Sequence, residues 1–229
     1  MSTPYTIARL TKSDKPSFVF VLSKAFARDP LFLYLFGDSE MDEKARSRVI
    51  AFVSFMFDKA FLVSEEVWGL FENECLLGAY IVEKPEKNKL QNMKEGFLLM
   101  GRFIPLFFQM SVKSLWLLNS YMRVTRSAAP RLSHHYLIMI GVIPKSQGKG
   151  IGKSLLMHLM KTINGDTHSQ GIALDTENQE NVNMYRKWGF TLNKETHIDN
   201  LRVYCMFYHK QSHNVKIPNV LDGLGNQHL

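Results

Sequence analysis

The 229-residue chain is 45% apolar and 21% charged, with a net charge of +7. That composition excludes disordered, collagen-like and low-complexity classes and suits one sizeable domain with a buried core. Its two cysteines, Cys75 and Cys205, lack the spacing of a zinc site or a disulfide framework. No charged-then-apolar leader follows Met1, so a reduced, cytoplasmic setting is the default expectation. The charge is uneven: 12 basic against 13 acidic residues over 1–90, 6 against 1 over 91–135, and 10 against 7 over 136–229. Such an excess suits a polyanionic small ligand as well as nucleic acid. With no zinc-finger, basic-zipper or RNA-binding aromatic signature, a nucleic-acid partner is not expected.

In chain order, residues 5–10 alternate as a short strand, and residues 14–27 have helical spacing that stops at Asp29 and Pro30. A second helix is predicted over 42–61, with Val49, Phe52, Val53, Met56 and Phe57 on one face. Residues 67–71 and 75–82 read as a hairpin turning at Glu72, Asn73 and Glu74. The apolar stretch 97–124 is interrupted by Arg102, Pro105, Gln109 and Lys113. It is too short between interruptions to span a membrane, which takes about 20 apolar residues. One or two amphipathic helices broken near Pro105 are expected there, packing on the core or covering a pocket, with membrane-surface docking the lesser alternative.

The second half is more regular. Strands are predicted over 136–143 and 171–175, helices over 148–163 and 181–188, and an antiparallel pair over 191–196 and 202–208 turning near Asp199 and Asn200. Residues 211–229 are polar and expected to fray. The alternation gives an α/β class with a mixed sheet. The expected organisation is a single domain over 1–210, a helical insertion at about 90–130, and a polar tail.

Between the strand at 136–143 and its helix lie Gln147, Gly148, Lys149, Gly150, Ile151, Gly152, Lys153 and Ser154. Glycines permit a tight turn, and the helix N-terminus offers unpaired N–H groups and the positive end of its dipole to an anion. A Rossmann fingerprint would need glycine at Lys153, and a Walker loop would need glycine at Gln147. The pattern Q/R-x-x-G-x-G/A is satisfied in full by Gln147, Gly150 and Gly152.

With that loop the chain resembles the GNAT superfamily of N-acetyltransferases. A second block agrees: Asn178 and Asn181, then Tyr185, then Gly189 and Phe190. Residues 25–32 and 134–137 resemble a puromycin-acetyltransferase-like subgroup. The resemblance implies a mostly antiparallel sheet flanked by helices and splayed between its fourth and fifth strands. It also implies transfer of the acetyl group of acetyl-CoA, as co-substrate, to a primary amine of a small molecule by direct attack in a ternary complex. The loop residues 147–153 would hold the coenzyme's diphosphate. Main-chain groups of Ile140, Gly141 and Val142, with the amides of Asn178 and Asn181, would meet the pantetheine arm. Gly141 would also let the coenzyme approach closely.

Tyr185 would act as general acid, since a phenol of pKa about 10 suits a thiolate leaving group of similar basicity. Asp175 and His134 are the candidate bases, with Glu177 and His135 beside them. No nucleophile pattern for a covalent acyl-enzyme and no metal-ligand spacing is present. Phe32, Tyr34, Phe36, Phe103, Phe107, Phe108, Trp116 and Tyr121 are expected to wall the acceptor pocket, and Asp29 to meet an acceptor ammonium. The sequence leaves open a non-catalytic acyl-CoA sensor or scaffold with the same fold, and a homodimer.

Overall fold

The structure is a computed structural model that describes residues 5–85 and 110–210. Among these residues seven strands form one sheet in the order β1-β2-β3-β4-β5-β7-β6. They are β1 (Tyr5–Arg9), β2 (Glu66–Glu72), β3 (Cys75–Glu83), β4 (His135–Val142), β5 (Gly171–Thr176), β6 (Phe190–Ile198) and β7 (Leu201–His209). Every neighbouring pair is antiparallel except β4–β5, which is parallel. The β2–β3 hairpin closes on Asn73 and Glu74, both at positive φ (47° and 68°). That is the geometry whose twist matches the flanking strands.

Among the described residues six α-helices accompany the sheet: α1 (Lys15–Ala25), α2 (Pro30–Phe36), α3 (Glu43–Leu62), α4 (Val112–Ala128), α5 (Ile151–Gly165) and α6 (Gln179–Lys187). A side chain on Gly78 would meet Leu155 of α5, whereas one on Gly141 would meet Ala25 and Phe26 at the end of α1. Helices α1 and α5 therefore lie on opposite faces of the sheet. The core between them includes Phe18, Leu22, Phe57, Tyr80, Leu155 and Leu159, all essentially inaccessible to solvent. Phe18 and Phe57 lock α1 to α3, with ring centroids 4.9 Å apart.

Three expectations shift in detail. Asp29 and Pro30, read as a stop, also start α2. Pro30 stands at its beginning, and Asp29 Oδ1 accepts from the N–H groups of Leu31 (3.0 Å) and Phe32 (3.2 Å). An Asp-Pro pair is a favoured helix start, because proline lacks only a donor the first turn cannot use. The helix predicted from 148 begins at Ile151, since Gly148 and Gly150 take positive φ. Of the apolar stretch, residues 97–109 lie outside the described residues. Its remainder forms α4, which runs past 124 to Ala128 and ends at Ala129, ahead of Pro130, which disfavours helical backbone before it. The tail 211–229 also lies outside the described residues.

Gly141 is small for packing, not for access. An added Cβ would stand 2.8 Å from Ala25 Cβ and 3.2 Å from the Phe26 ring. Gly141→Ala is expected to lower unfolding stability by about 1–3 kcal/mol, as overpacking does. Urea unfolding followed by circular dichroism measures this, and unchanged stability would contradict the packing role.

Candidate functional site

The parallel register of β4 and β5 consists of two pairs, His135↔Ile172 and Tyr136↔Ala173. On its other edge β4 stays on β3 from Tyr136 to Val142, with an extra residue at Ile138 between the Ile81↔Met139 and Val82↔Leu137 pairs. Past Tyr136, β4 and β5 part. A cavity of about 290 Å³ fills the wedge, lined by Leu137 to Ile140 on one strand and Leu174 to Thr176 on the other.

At the C-terminal end of β4 the chain turns through Pro144–Ser146 into the glycine loop. Gln147 Nε2 donates to the Val142 carbonyl (3.1 Å), so this side chain ties the loop to the strand end. Gly148 and Gly150 have φ of 77° and 81°, and a Cβ at either would meet nothing within 4 Å. The bend is left-handed and open, a conformation that glycine takes without steric cost. Ser154 N–H donates to the Gly150 carbonyl (2.9 Å) as the first helical bond of α5. The N–H groups of Ile151, Gly152 and Lys153 precede it and have no intrahelical acceptor. Lys149 is exposed, and Lys153 Nζ lies 5.1 Å from the Trp188 ring centroid, joining the loop to the end of α6. This geometry fits a diphosphate.

Deeper in the wedge stands a cluster of acidic groups. The Tyr121 hydroxyl contacts both Asp175 and Glu177, and the Tyr136 hydroxyl donates to Asp175. One phenolic proton cannot serve two carboxylates, so the Tyr121 pair requires a second proton on the acids. Burial, then Asp29, then Asp175 push the Glu177 carboxyl up to about 8. Burial pushes Asp29 up to about 6, against its two backbone hydrogen bonds and with a further push from Asp175. Asp175 is raised by burial and held back by the two tyrosines and Arg126. The Arg126 guanidinium lies 3.7 Å from the Tyr136 ring centroid and pairs with Glu83 at 2.6 Å. Tyr185, 5% exposed, lines the same cavity and packs on Phe190. Its phenol is held above the ordinary tyrosine range by burial, then by Asp175, Glu177 and Asp29.

The wedge thus gathers Ile140, Asp175, Asn181 and Tyr185. Asn181 Nδ2 donates to Thr176 Oγ1 (3.2 Å). Asn178 instead caps α6, its side-chain oxygen accepting from Glu180 N–H (2.8 Å). His134 is not among the residues lining the cavity: its Nδ1 meets the Leu132 carbonyl, and its ring stands edge-on to Phe207. His135 is buried against Ser169 and Asp166, with burial lowering its pKa.

Of the expected wall aromatics, Phe32 and Tyr121 line the cavity. Phe36 is core, Tyr34 donates to Asp199, and Trp116 is 64% exposed. Phe103, Phe107 and Phe108 lie outside the described residues. Sequence reading missed Tyr136 and Arg126. The only signal for Arg126 was the helical spacing Met122–Arg126 on α4. Among the described residues no group of three or more His, Cys, Asp or Glu is placed to hold a metal, and no helix is long and apolar enough to cross a membrane.

A family model described as the acetyltransferase (GNAT) family matches residues 30–190. Among solved structures, the chain is similar to a Corynebacterium glutamicum protein described as histone acetyltransferase HPA2 and related acetyltransferase. The TM-score is 0.67 at 19% identity, over 92% of this chain and 99% of that one. It is also similar to PaiA N-acetyltransferase from Thermoplasma acidophilum in complex with coenzyme A (TM-score 0.54, 13% identity, 91% and 99% covered). A third is YncA from Salmonella typhimurium with its cofactor acetyl-CoA (TM-score 0.52, 14% identity, 93% and 98% covered). At these identities the likeness is one of fold. No curated protein matches.

The raised Glu177 carboxyl has a consequence for stability. Its ordinary value is 4.5 and its folded value about 8, so between the two the folded chain keeps a proton the unfolded chain has lost. Stability therefore falls as pH rises through that window. The melting temperature of the ligand-free protein is expected to drop by several degrees between about pH 5 and about pH 8.5. Glu177→Gln should flatten most of that slope in calorimetric melts. Equal slopes in the two proteins would contradict the assignment.

Proposed function

The chain belongs to the acetyltransferase (GNAT) family, and on that premise we propose that it transfers the acetyl group of acetyl-CoA to a primary amine of a small molecule in a ternary complex. The observation that carries this reading is that one strand serves both parts of the site. β4 borders the wedge that holds Asp175, Glu177 and Tyr185, and the chain runs from its end into the open left-handed glycine bend at the N-terminus of α5. Solved structures of the same fold that hold acetyl-CoA or coenzyme A support it.

When bound, the coenzyme supplies an acetyl group activated as a thioester. The N–H groups of Ile151, Gly152 and Lys153, with Gly148, Lys149 and Gly150 shaping the bend, hold its diphosphate. Gln147 acts through the loop it fastens to Val142. Main-chain groups on the β5-facing edge of β4 near Ile140 and the Asn181 amide receive the pantetheine end. A β4 N–H there stabilises charge developing on the acetyl oxygen. The acceptor arrives as an ammonium. The ionised member of the Asp175–Glu177 pair takes one proton and leaves a neutral nitrogen nucleophile. Tyr185 gives a proton to the departing sulfur, and the proton that the nitrogen sheds as the amide forms restores the phenol. The raised Tyr185 value keeps the phenol protonated until that moment. His134 has no part in this scheme, because its contacts lie at Leu132 and Phe207.

The reading includes the puromycin-acetyltransferase-like subgroup. Support comes from residues 25–32, which here form the α1–α2 junction and place Phe26, Asp29 and Phe32 on the cavity wall. It also includes a cytoplasmic setting, which the two free thiols of Cys75 and Cys205 favour.

Titration calorimetry with acetyl-CoA tests the first step, and saturable binding that Gly150→Val abolishes is expected. Tyr185→Phe should bind the coenzyme as the parent does and lose about 10²-fold or more in kcat, measured by release of free CoA thiol. No saturable binding would defeat the proposal. Unchanged turnover in Tyr185→Phe would remove the acid role.

A further inference from the structure

The cavity lining is of two kinds. One is acidic, a group of Asp29, Asp175 and Glu177 that act on one another. Asp29 Oδ1 is committed to the α2 N-terminus, while Oδ2 has no hydrogen-bond partner among the described residues. A second feature points independently to a ligand there. Tyr185 is 5% exposed and lines the cavity, and its hydroxyl makes no hydrogen bond among the described residues. A buried hydroxyl left so is satisfied by what the cavity takes in.

Much of the remaining lining is apolar, with Phe32, Phe52, Phe55, Met56, Leu118 and Met122 from α2, α3 and α4. Two cations also line the cavity, each already paired: Lys59 with Glu65, and Arg126, which lies on the Tyr136 ring and acts on Asp175, with Glu83.

From this arrangement we infer that the acceptor is an amphipathic monoamine, a single ammonium on an alkyl or arylalkyl body, and that Asp29 is the residue that selects it. The ammonium is held among Asp29, Asp175 and Glu177, within the site that Tyr185 serves, and the body buries apolar surface against Phe32, Phe52 and Leu118. A linear diamine would bring its second ammonium to the apolar side chains of α2, α3 and α4, where desolvation is uncompensated. An α-amino acid would bring its carboxylate to three acidic groups. Both are discriminated against by unpaired or like charges rather than by size. The inference builds on the proposed acetyl transfer, but the amine site can be tested without it.

The test uses the full chain and calorimetric titration of 3-phenylpropylamine, hexylamine, 1,4-diaminobutane and phenylalanine, with and without CoA. At about pH 9 Glu177 is ionised and an alkylammonium is still charged. Expected is saturable binding of the two monoamines, with the diamine and the amino acid weaker by about tenfold or more. Comparing 3-phenylpropylamine with hexylamine distinguishes an aromatic from an aliphatic body. Asp29→Asn keeps the α2 cap, since asparagine caps as well as aspartate. It should weaken monoamine binding about tenfold while leaving acetyl-CoA affinity unchanged. Diamine or amino-acid binding as tight as that of the monoamines, no saturable amine binding in either condition, or parental monoamine affinity in Asp29→Asn would overturn the inference. Failure to bind acetyl-CoA with amine selectivity intact would instead overturn the proposed reaction.

Discussion

Two residue pairs hold β4 to β5, and the site exists because the pairing stops there. A parallel ladder carried further would have closed the sheet and satisfied its backbone groups internally. Parting the strands leaves N–H and C=O groups on the edge of β4 that need polar partners. β3 holds the other edge through Val142, so the strand cannot move to close the gap. The wedge is a fixed slot, and a ligand carrying amides can complete its hydrogen bonding. At its C-terminal end the same strand delivers the glycine bend, which puts an anion site on the chain that borders the slot.

The slot also sets the electrostatics. Asp29 arrives from the α1–α2 junction, Asp175 and Glu177 from the end of β5, and the tyrosines from α4, β4 and α6. Removed from water, three carboxyls cannot all stay ionised, and protons are retained on Glu177 and Asp29 at pH values where an exposed acid has lost them. The folded chain holds this arrangement at a cost in stability at higher pH. Charge of opposite sign relieves that cost, and an incoming ammonium is such a charge. The groups that destabilise the folded chain at higher pH are therefore those suited to hold an amine and take its proton.

Much of the fold was legible because the patterns were local. Alternation marked β2 and β3, the 3.6-residue stripe of Val49, Phe52, Val53 and Phe57 marked α3, and Gln147, Gly150 and Gly152 marked the bend before any coordinate. Asp175, Asn181 and Tyr185 were reached through a resemblance and do share one cavity. What could not be read depends on contacts far apart in sequence. Gly141 looked like a ligand approach but is small because the end of α1 packs on it. His134 lies next to a strand that reaches the site, yet its ring turns to Phe207. Tyr121 reaches Asp175 across 54 positions of chain, and no spacing rule announces such a partner. Asp29 was visible as half of an Asp-Pro pair, but only the folded chain brings it near Asp175.

A crystal structure of the protein grown with acetyl-CoA tests the central claim most directly. Expected are the diphosphate on the N–H groups of Ile151 to Lys153 and the thioester between β4 at Ile140 and the Tyr185 hydroxyl, with β4 and β5 still apart beyond Tyr136. Pairing of the two strands continuing past Tyr136, or a coenzyme seated anywhere other than that slot, would contradict it.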